Sequence, residues 1–126
     1  MNATFTKILR VLLGVVLIIF GLNKLIPLNF LPSPEFSPEA EQFMNTLNAS
    51  GYVLKTVGVI ELFVGIFLIM RKWVAFALII LAPISLNILL FHVFMDRPGL
   101  ILAILILVLN SVLIYKHWRN YKPLFY

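Results

Sequence analysis

Four stretches of this sequence are each apolar over about the length that crosses a bilayer, roughly 20 residues at 1.5 Å of helix rise each. They run from about Thr6 to Ile26, Tyr52 to Met70, Trp73 to Met95 and Pro98 to Trp118. In lipid every backbone N–H and C=O must be paired within the protein, so each stretch is expected to be a helix. The links Arg71-Lys72 and Asp96-Arg97 are so short that the helices they join must be antiparallel neighbours. The expected fold is an all-α membrane protein: an antiparallel four-helix transmembrane bundle, closed by the first helix. Composition agrees, since 62% of the 126 residues are hydrophobic and 12% charged, against roughly 25% charged in ordinary soluble domains. Residues 1–126 are expected to form a single transmembrane domain. The first stretch has a basic start and an apolar run from Val11 to Phe20, but Asn23-Lys24-Leu25-Ile26-Pro27 offers no small-residue cleavage site. It is expected to be a retained helix and not a removed signal.

The net charge of +5 would suit a nucleic-acid partner, but the positions of the charges point to a membrane instead. In a four-pass chain Lys7, Arg10, Arg71, Lys72, Lys116, Arg119 and Lys122 fall on one side. Lys24, Lys55 and Arg97 fall on the other, with Glu35, Glu39, Glu41 and Asp96. The positive-inside rule then places both termini in the cytoplasm. The expected setting is a bacterial cytoplasmic (inner) membrane, with the lipid bilayer as partner and no nucleic acid. Trp73, Tyr115 and Trp118 would mark the inner interface and Tyr52 the outer one.

The long connection, Leu28 to Gly51, opens with Pro27, Pro32, Pro34 and Pro38, which favour extended chain over its first half. Ser37-Pro38-Glu39-Ala40-Glu41 then reads as a helix start, with a serine cap, proline in the first turn and acids at the positive end of the dipole. Phe43, Met44 and Leu47 follow at helical spacing, and Asn48-Ala49-Ser50-Gly51 stops the run. A short amphipathic helix of about 38–48 is expected in this first extracytoplasmic loop, as a strap across the bundle or a lid over its mouth.

One residue contradicts its surroundings. Glu61 lies near the middle of the second stretch, where an acid costs about 3 kcal/mol on insertion scales and normally faces a partner inside the bundle. Gly58, Glu61 and Gly65 share one helix face, as do Arg10, Gly14, Gly21 and Lys24 on the first stretch. Glycine on both faces allows close helix approach, so Glu61 is expected to point at a neighbour. Helix rise places Glu61 at ~13 Å from the outer boundary, Asn87 at ~12 Å and Asn110 at ~18 Å. Asn23, Lys24 and His92 lie within ~5 Å of that boundary. A polar pocket in the outer half of the bundle is one reading. Against it, Asn87 and His92 are five residues apart and point ~140° from each other on a straight helix. The plainer alternatives are that Asn110 and Ser111 bond between helices or to backbone, that Lys24 anchors at the interface, and that His92 is a boundary residue.

Other chemistries find little support. There is no cysteine, hence no thiolate for a disulfide relay or an iron–sulfur cluster. His92 and His117 lie near opposite faces and cannot ligate one haem, and no histidine–acid set has metal spacing. No phosphate-binding loop or nucleophile–base pattern appears.

The segments Arg10-Val11-Leu12-Leu13-Gly14, Phe20-Gly21-Leu22-Asn23-Lys24-Leu25 and Gly58-Val59-Ile60-Glu61-Leu62, with Ala82-Pro83, Asn87 and His92, resemble the DoxX-like family of small four-pass membrane proteins. The resemblance spans all four helices. Relatives include a membrane subunit of a thiosulfate:quinone oxidoreductase and proteins of membrane-linked thiol or oxidative-stress systems. It implies marked polar positions at Arg10, Lys24, Glu61 and His92, and a membrane or peripheral redox partner protein. A mechanism using the chain's own thiol is ruled out here.

The first expectation is a membrane subunit binding quinone or a similar lipid-soluble carrier. Glu61 and His92 would be the proton-handling, catalytic pair, Asn23, Lys24 and Asn87 the ligand-binding groups, and Arg10 and Asn110 structural polar residues. The second is a non-enzymatic assembly or partner-binding protein in which Glu61 ties helices together through Arg10 or Lys24. The third is a small-solute or lipid carrier gated by the outer strap. Monomer and oligomer both fit.

Overall fold

The computed structural model describes residues 3–26 and 36–125. Its helices are α1 (Ala3–Leu25), α2 (Pro38–Ala49), α3 (Val53–Met70), α4 (Val74–Met95), α5 (Leu100–Lys116) and the one-turn α6 (Trp118–Tyr121). Among the described residues, α1, α3, α4 and the Arg97–Lys116 segment are long and apolar enough to cross a membrane. The extended reading of Pro27, Pro32 and Pro34 lies outside the described residues. Around the bundle α1 packs on α3, α3 on α4, α4 on α5, and α5 back on α1. The chain is an integral membrane protein with an antiparallel four-helix bundle.

The tightest seam joins α1 to α3, and glycine makes it. A Cβ added to Gly65 would lie 2.7 Å from the Gly14 carbonyl oxygen, and one on Gly21 would lie 2.7 Å from that of Gly58. Each pair brings two backbones into contact, which only residues without a side chain permit. The same register sets Arg10 against the last turn of α3. There its guanidinium donates to the Leu68 carbonyl, with Ile69 O at 3.4 Å. A helix C-terminus leaves carbonyls without intrahelical donors, and a buried cation satisfies both their hydrogen bonds and the dipole. Arg10 is 7% exposed, so this contact replaces its hydration.

The apolar core is weighted toward the half nearer the chain termini: Leu13 and Leu17, Val64 and Leu68, Ala77, Leu78 and Leu81, Leu109 and Leu113. Helix α4 carries Pro83 in its interior, which removes the N–H that would reach Ile79. One turn away, buried Asn110 of α5 accepts from Ser85 Oγ at 2.9 Å and donates to the Leu78 carbonyl at 3.1 Å. This polar bridge ties α4 to α5, and Ser85 is its unforeseen half.

The turns hold the spans close. Arg71 and Trp73, between α3 and α4, adopt φ of 57° and 51°, a left-handed conformation that costs roughly 1–2 kcal/mol in a residue with a Cβ. Trp73 caps α4 instead of beginning it, and its ring packs at a tilt of 39° against Phe67, with centres 5.4 Å apart. At the opposite corner Pro98 lies in a 3-10 turn, Arg97–Gly99, that leads into α5. The expected fourth helix through Trp118 instead ends at Lys116 and restarts as α6.

That break serves Tyr121, which is 3% exposed and donates its O–H to the Ala75 carbonyl at 2.6 Å. Burial pushes its phenol from 10.0 up to about 12. A folded value above the unfolded one means that this contribution is complete below pH 10 and is lost as pH rises through about 12. Ultraviolet titration of the phenols should show one that ionises only near pH 12, and Tyr121→Phe should abolish that late step. The same substitution should lower stability by about 1 kcal/mol.

Helix α2 begins as its sequence dictates: Ser37 caps it by accepting from Ala40 N at 3.2 Å, with Pro38 at the first position. Ser37 Oγ also donates to the Met95 carbonyl at 2.7 Å. Phe36 and Phe43 pack on Phe91 with ring centres 5.8 and 5.7 Å away. These contacts pin the loop helix to the end of α4.

Candidate functional site

Glu61 faces α1 and is fully buried. Lys24 Nζ stands 2.7 Å from its Oε1, though off the direction of a well-formed hydrogen bond. The short approach makes the contact an ion pair. Oε2 has no hydrogen-bond donor among the described residues. A carboxylate usually accepts several hydrogen bonds, so this one is under-satisfied.

Helix geometry explains why Lys24 is the partner. With Gly21 against Gly58, Lys24 lies level with the first turn of α3, about 9 Å of helix rise from Glu61. Helical side chains lean toward their own N-terminus. Lys24 therefore leans into the membrane and Glu61 leans out of it, each toward the other. The Lys24 stem passes over Gly58, where an added Cβ would meet Lys24 Cβ at 2.9 Å, and its ammonium lies 5.9 Å from the Phe20 ring centre. Arg10, on the same helix, leans the same way, which carries it away from Glu61 to the far end of α3, where it takes no part.

The other expected site residues are dispersed. His92 Nδ1 lies 2.9 Å from Asp96 Oδ2 and 3.1 Å from Asp96 O. Both partners are acceptors, so Nδ1 carries the proton. Gly99 closes over the ring so tightly that an added Cβ would be 2.5 Å from His92 Cε1. His92 thus braces the α4–α5 corner through Asp96, a partner its i,i+4 spacing could have revealed. Asn87 is exposed, and its amide donates to the Pro83 carbonyl of its own helix at 2.8 Å. It does not line a pocket with Glu61, because it lies about 200° round the helix from Ser85, which faces α5. Asn23 is exposed on the outermost turn of α1, next to Lys24. Asn110 bridges helices, and Ser111 is exposed.

Two clefts lie on the surface formed by the described residues, and neither of these is lined by Glu61, Lys24 or His92. An open groove of about 660 Å³ lies at the terminus end, lined by Arg71, Trp73, His117 and Asn120 among others. An apolar cleft of about 230 Å³ runs between α3 and α4.

A protein-family model described as DoxX matches residues 5–95. The match takes in α1 to α4 and with them Arg10, Lys24, Glu61 and His92, and ends before α5. No curated protein and no solved structure matches the chain.

Proposed function

The chain belongs to the DoxX family, and we propose that it is a membrane subunit that binds quinone or a similar lipid-soluble carrier at the Lys24–Glu61 pair, within a membrane oxidoreductase system. The observation that carries this reading is the fully buried carboxylate that, among the described residues, has a lysine as its one charged partner and no donor to its second oxygen. Two glycine contacts already join α1 to α3, so the seam does not depend on an ion pair. A buried pair is also a poor stabiliser, because desolvating the charges offsets most of their attraction.

The pair fits a carrier with carbonyl or hydroxyl oxygens. A quinone supplies two-electron chemistry that needs protons at its oxygens. Lys24, with a quarter of its side chain exposed, is the member such a ligand meets first and would donate a hydrogen bond to it. Glu61 behind it would hold a proton and exchange it with Lys24 or the ligand. Asn23 lies at the rim. His92, engaged by Asp96, has no part in this reading. Electrons would come from a partner protein.

Protein purified gently from membranes should retain quinone, and Glu61→Gln and Lys24→Met should each lose most of it. Asn87→Ala, which alters an outward-facing amide, should retain it. Equal retention in wild type and Glu61→Gln, or none in either, removes the proposal.

The enclosure of Glu61 favours a second reading, an assembly subunit without chemistry of its own in which the pair fixes helix register. Under that reading Glu61→Gln lowers the melting temperature and leaves ligand retention unchanged.

A further inference from the structure

The two clefts that the Lys24–Glu61 reading leaves unused adjoin each other. The groove at the terminus end is walled by Arg71, Trp73, Phe76, His117 and Asn120, and the cleft between α3 and α4 by Ile60, Phe63, Phe67, Phe76 and Ile80. Phe76 belongs to both. The upper chamber has a cation, an imidazole and an amide on its wall, and the lower one only apolar side chains. The aromatic side chains Phe67, Trp73 and Phe76 follow one another along the junction, with ring centres 5.4 and 6.2 Å apart. Trp73 and Phe76 are more than half exposed.

We propose that this seam binds an anionic phospholipid of the leaflet on the terminus side, with its phosphate against Arg71 and His117 and an acyl chain in the apolar cleft below Phe76.

Charge supports the headgroup half of this assignment. Lys7, Arg10, Arg71, Lys72, Lys116, Arg119 and Lys122 all belong to this end of the bundle, and among the described residues the acidic side chains, Glu39, Glu41, Glu61 and Asp96, lie elsewhere. Basic pockets between spans at a membrane face are suited to anionic headgroups. His117 Nδ1 lies 2.9 Å from the Leu113 carbonyl, an acceptor, so Nδ1–H is engaged and Nε2 is left to meet the headgroup, donating to a phosphate oxygen in the imidazolium form and accepting from a headgroup hydroxyl in the neutral one. The left-handed backbone at Arg71 turns the chain between the two helices, so that its side chain and the Trp73 ring line one groove. Shape supports the acyl half, because a free phosphate would leave the apolar cleft empty, while a zwitterionic lipid would bring its own cation against a basic face.

The full-length protein in mild detergent is mixed with phosphatidylglycerol or with phosphatidylcholine of the same acyl chains, and retained lipid is read by native mass spectrometry. Wild type should retain phosphatidylglycerol in preference, and millimolar inorganic phosphate should not displace it. Arg71→Asn removes the charge and keeps a residue that tolerates the left-handed backbone; it should weaken phosphatidylglycerol retention about five-fold, the effect of one cation at a membrane surface. Lys7→Gln removes a charge on the same face outside the groove and should change retention less than two-fold. Equal retention of the two lipids by wild type overturns the proposal without recourse to any variant. So does full displacement by inorganic phosphate, or equal losses in Lys7→Gln and Arg71→Asn.

Discussion

Gly65→Leu is expected to part α1 from α3 and leave a chain that inserts into the membrane without holding its bundle. Even the first added carbon has no room. A Cβ on residue 65 would lie 2.7 Å from the Gly14 carbonyl oxygen, 2.7 Å from Ile18 Cγ1 and 3.1 Å from Ile18 N. Two of these atoms are backbone in the middle of a helix and cannot turn aside, so relief requires the helices to separate. Alanine alone should cost about 1–3 kcal/mol by overpacking, and leucine more, because its further carbons have the same wall to pass. Separation also acts at a distance: the register that sets Gly14 on Gly65 carries Arg10 to the Leu68 carbonyl and Lys24 to Glu61. Thermal melts in mild detergent should show Gly65→Leu without a cooperative transition. Gly51→Ala is the contrast. Nothing lies within 4 Å of its added Cβ, and only its φ of +85° opposes a side chain, so it should cost about 1 kcal/mol. A Gly65→Leu protein that melts with the wild type would show that the α1–α3 contact is not what holds the bundle.

The fold was legible because the bilayer leaves the backbone so few solutions. Runs of apolar residues joined by two-residue links admit little besides an antiparallel helical bundle, and Ser37-Pro38 announces α2 through its cap chemistry. The inward face of Glu61 was legible too, from its place between Gly58 and Gly65. Its partner was left open between Arg10 and Lys24, although the register carried by the glycines sends Arg10 to the wrong end of α3 and leaves Lys24. What the sequence concealed was direction on α4. Its buried side is Val74, Ala77, Leu78, Leu81 and Ser85, but the lipid-facing side is as apolar as the buried one, so hydropathy has no contrast by which to tell them apart. Helix rise gives a depth for Asn87 and not the direction in which it faces. His92 drew attention for its chemistry, while its spacing to Asp96 held the local answer. Tyr121 was invisible because only the break after Lys116 turns it back onto Ala75.

The Lys24–Glu61 pair should respond asymmetrically to losing either member, and that asymmetry separates its role in stability from its role in binding. Lys24→Met leaves Glu61 ~13 Å into the membrane with no cation beside it, which should cost about 3–5 kcal/mol. Glu61→Leu leaves a lysine on α1 whose flexible stem reaches the interface. Its side chain is already 25% exposed, so its charge can move outward, and the loss should be near 1 kcal/mol. Combining the two removes both desolvation penalties, and the double variant should melt at or above the wild type. Measured as a cycle, Lys24→Met is then the least stable of the four proteins, and adding Glu61→Leu rescues it. A Lys24→Met protein that melts with the wild type would mean that the carboxyl does not need the ammonium. The rescued double variant also isolates function, because its helices are packed and its charges are gone. If it holds its fold and retains no quinone, the pair is there for the ligand. If it keeps both fold and ligand, the pair is not the quinone site.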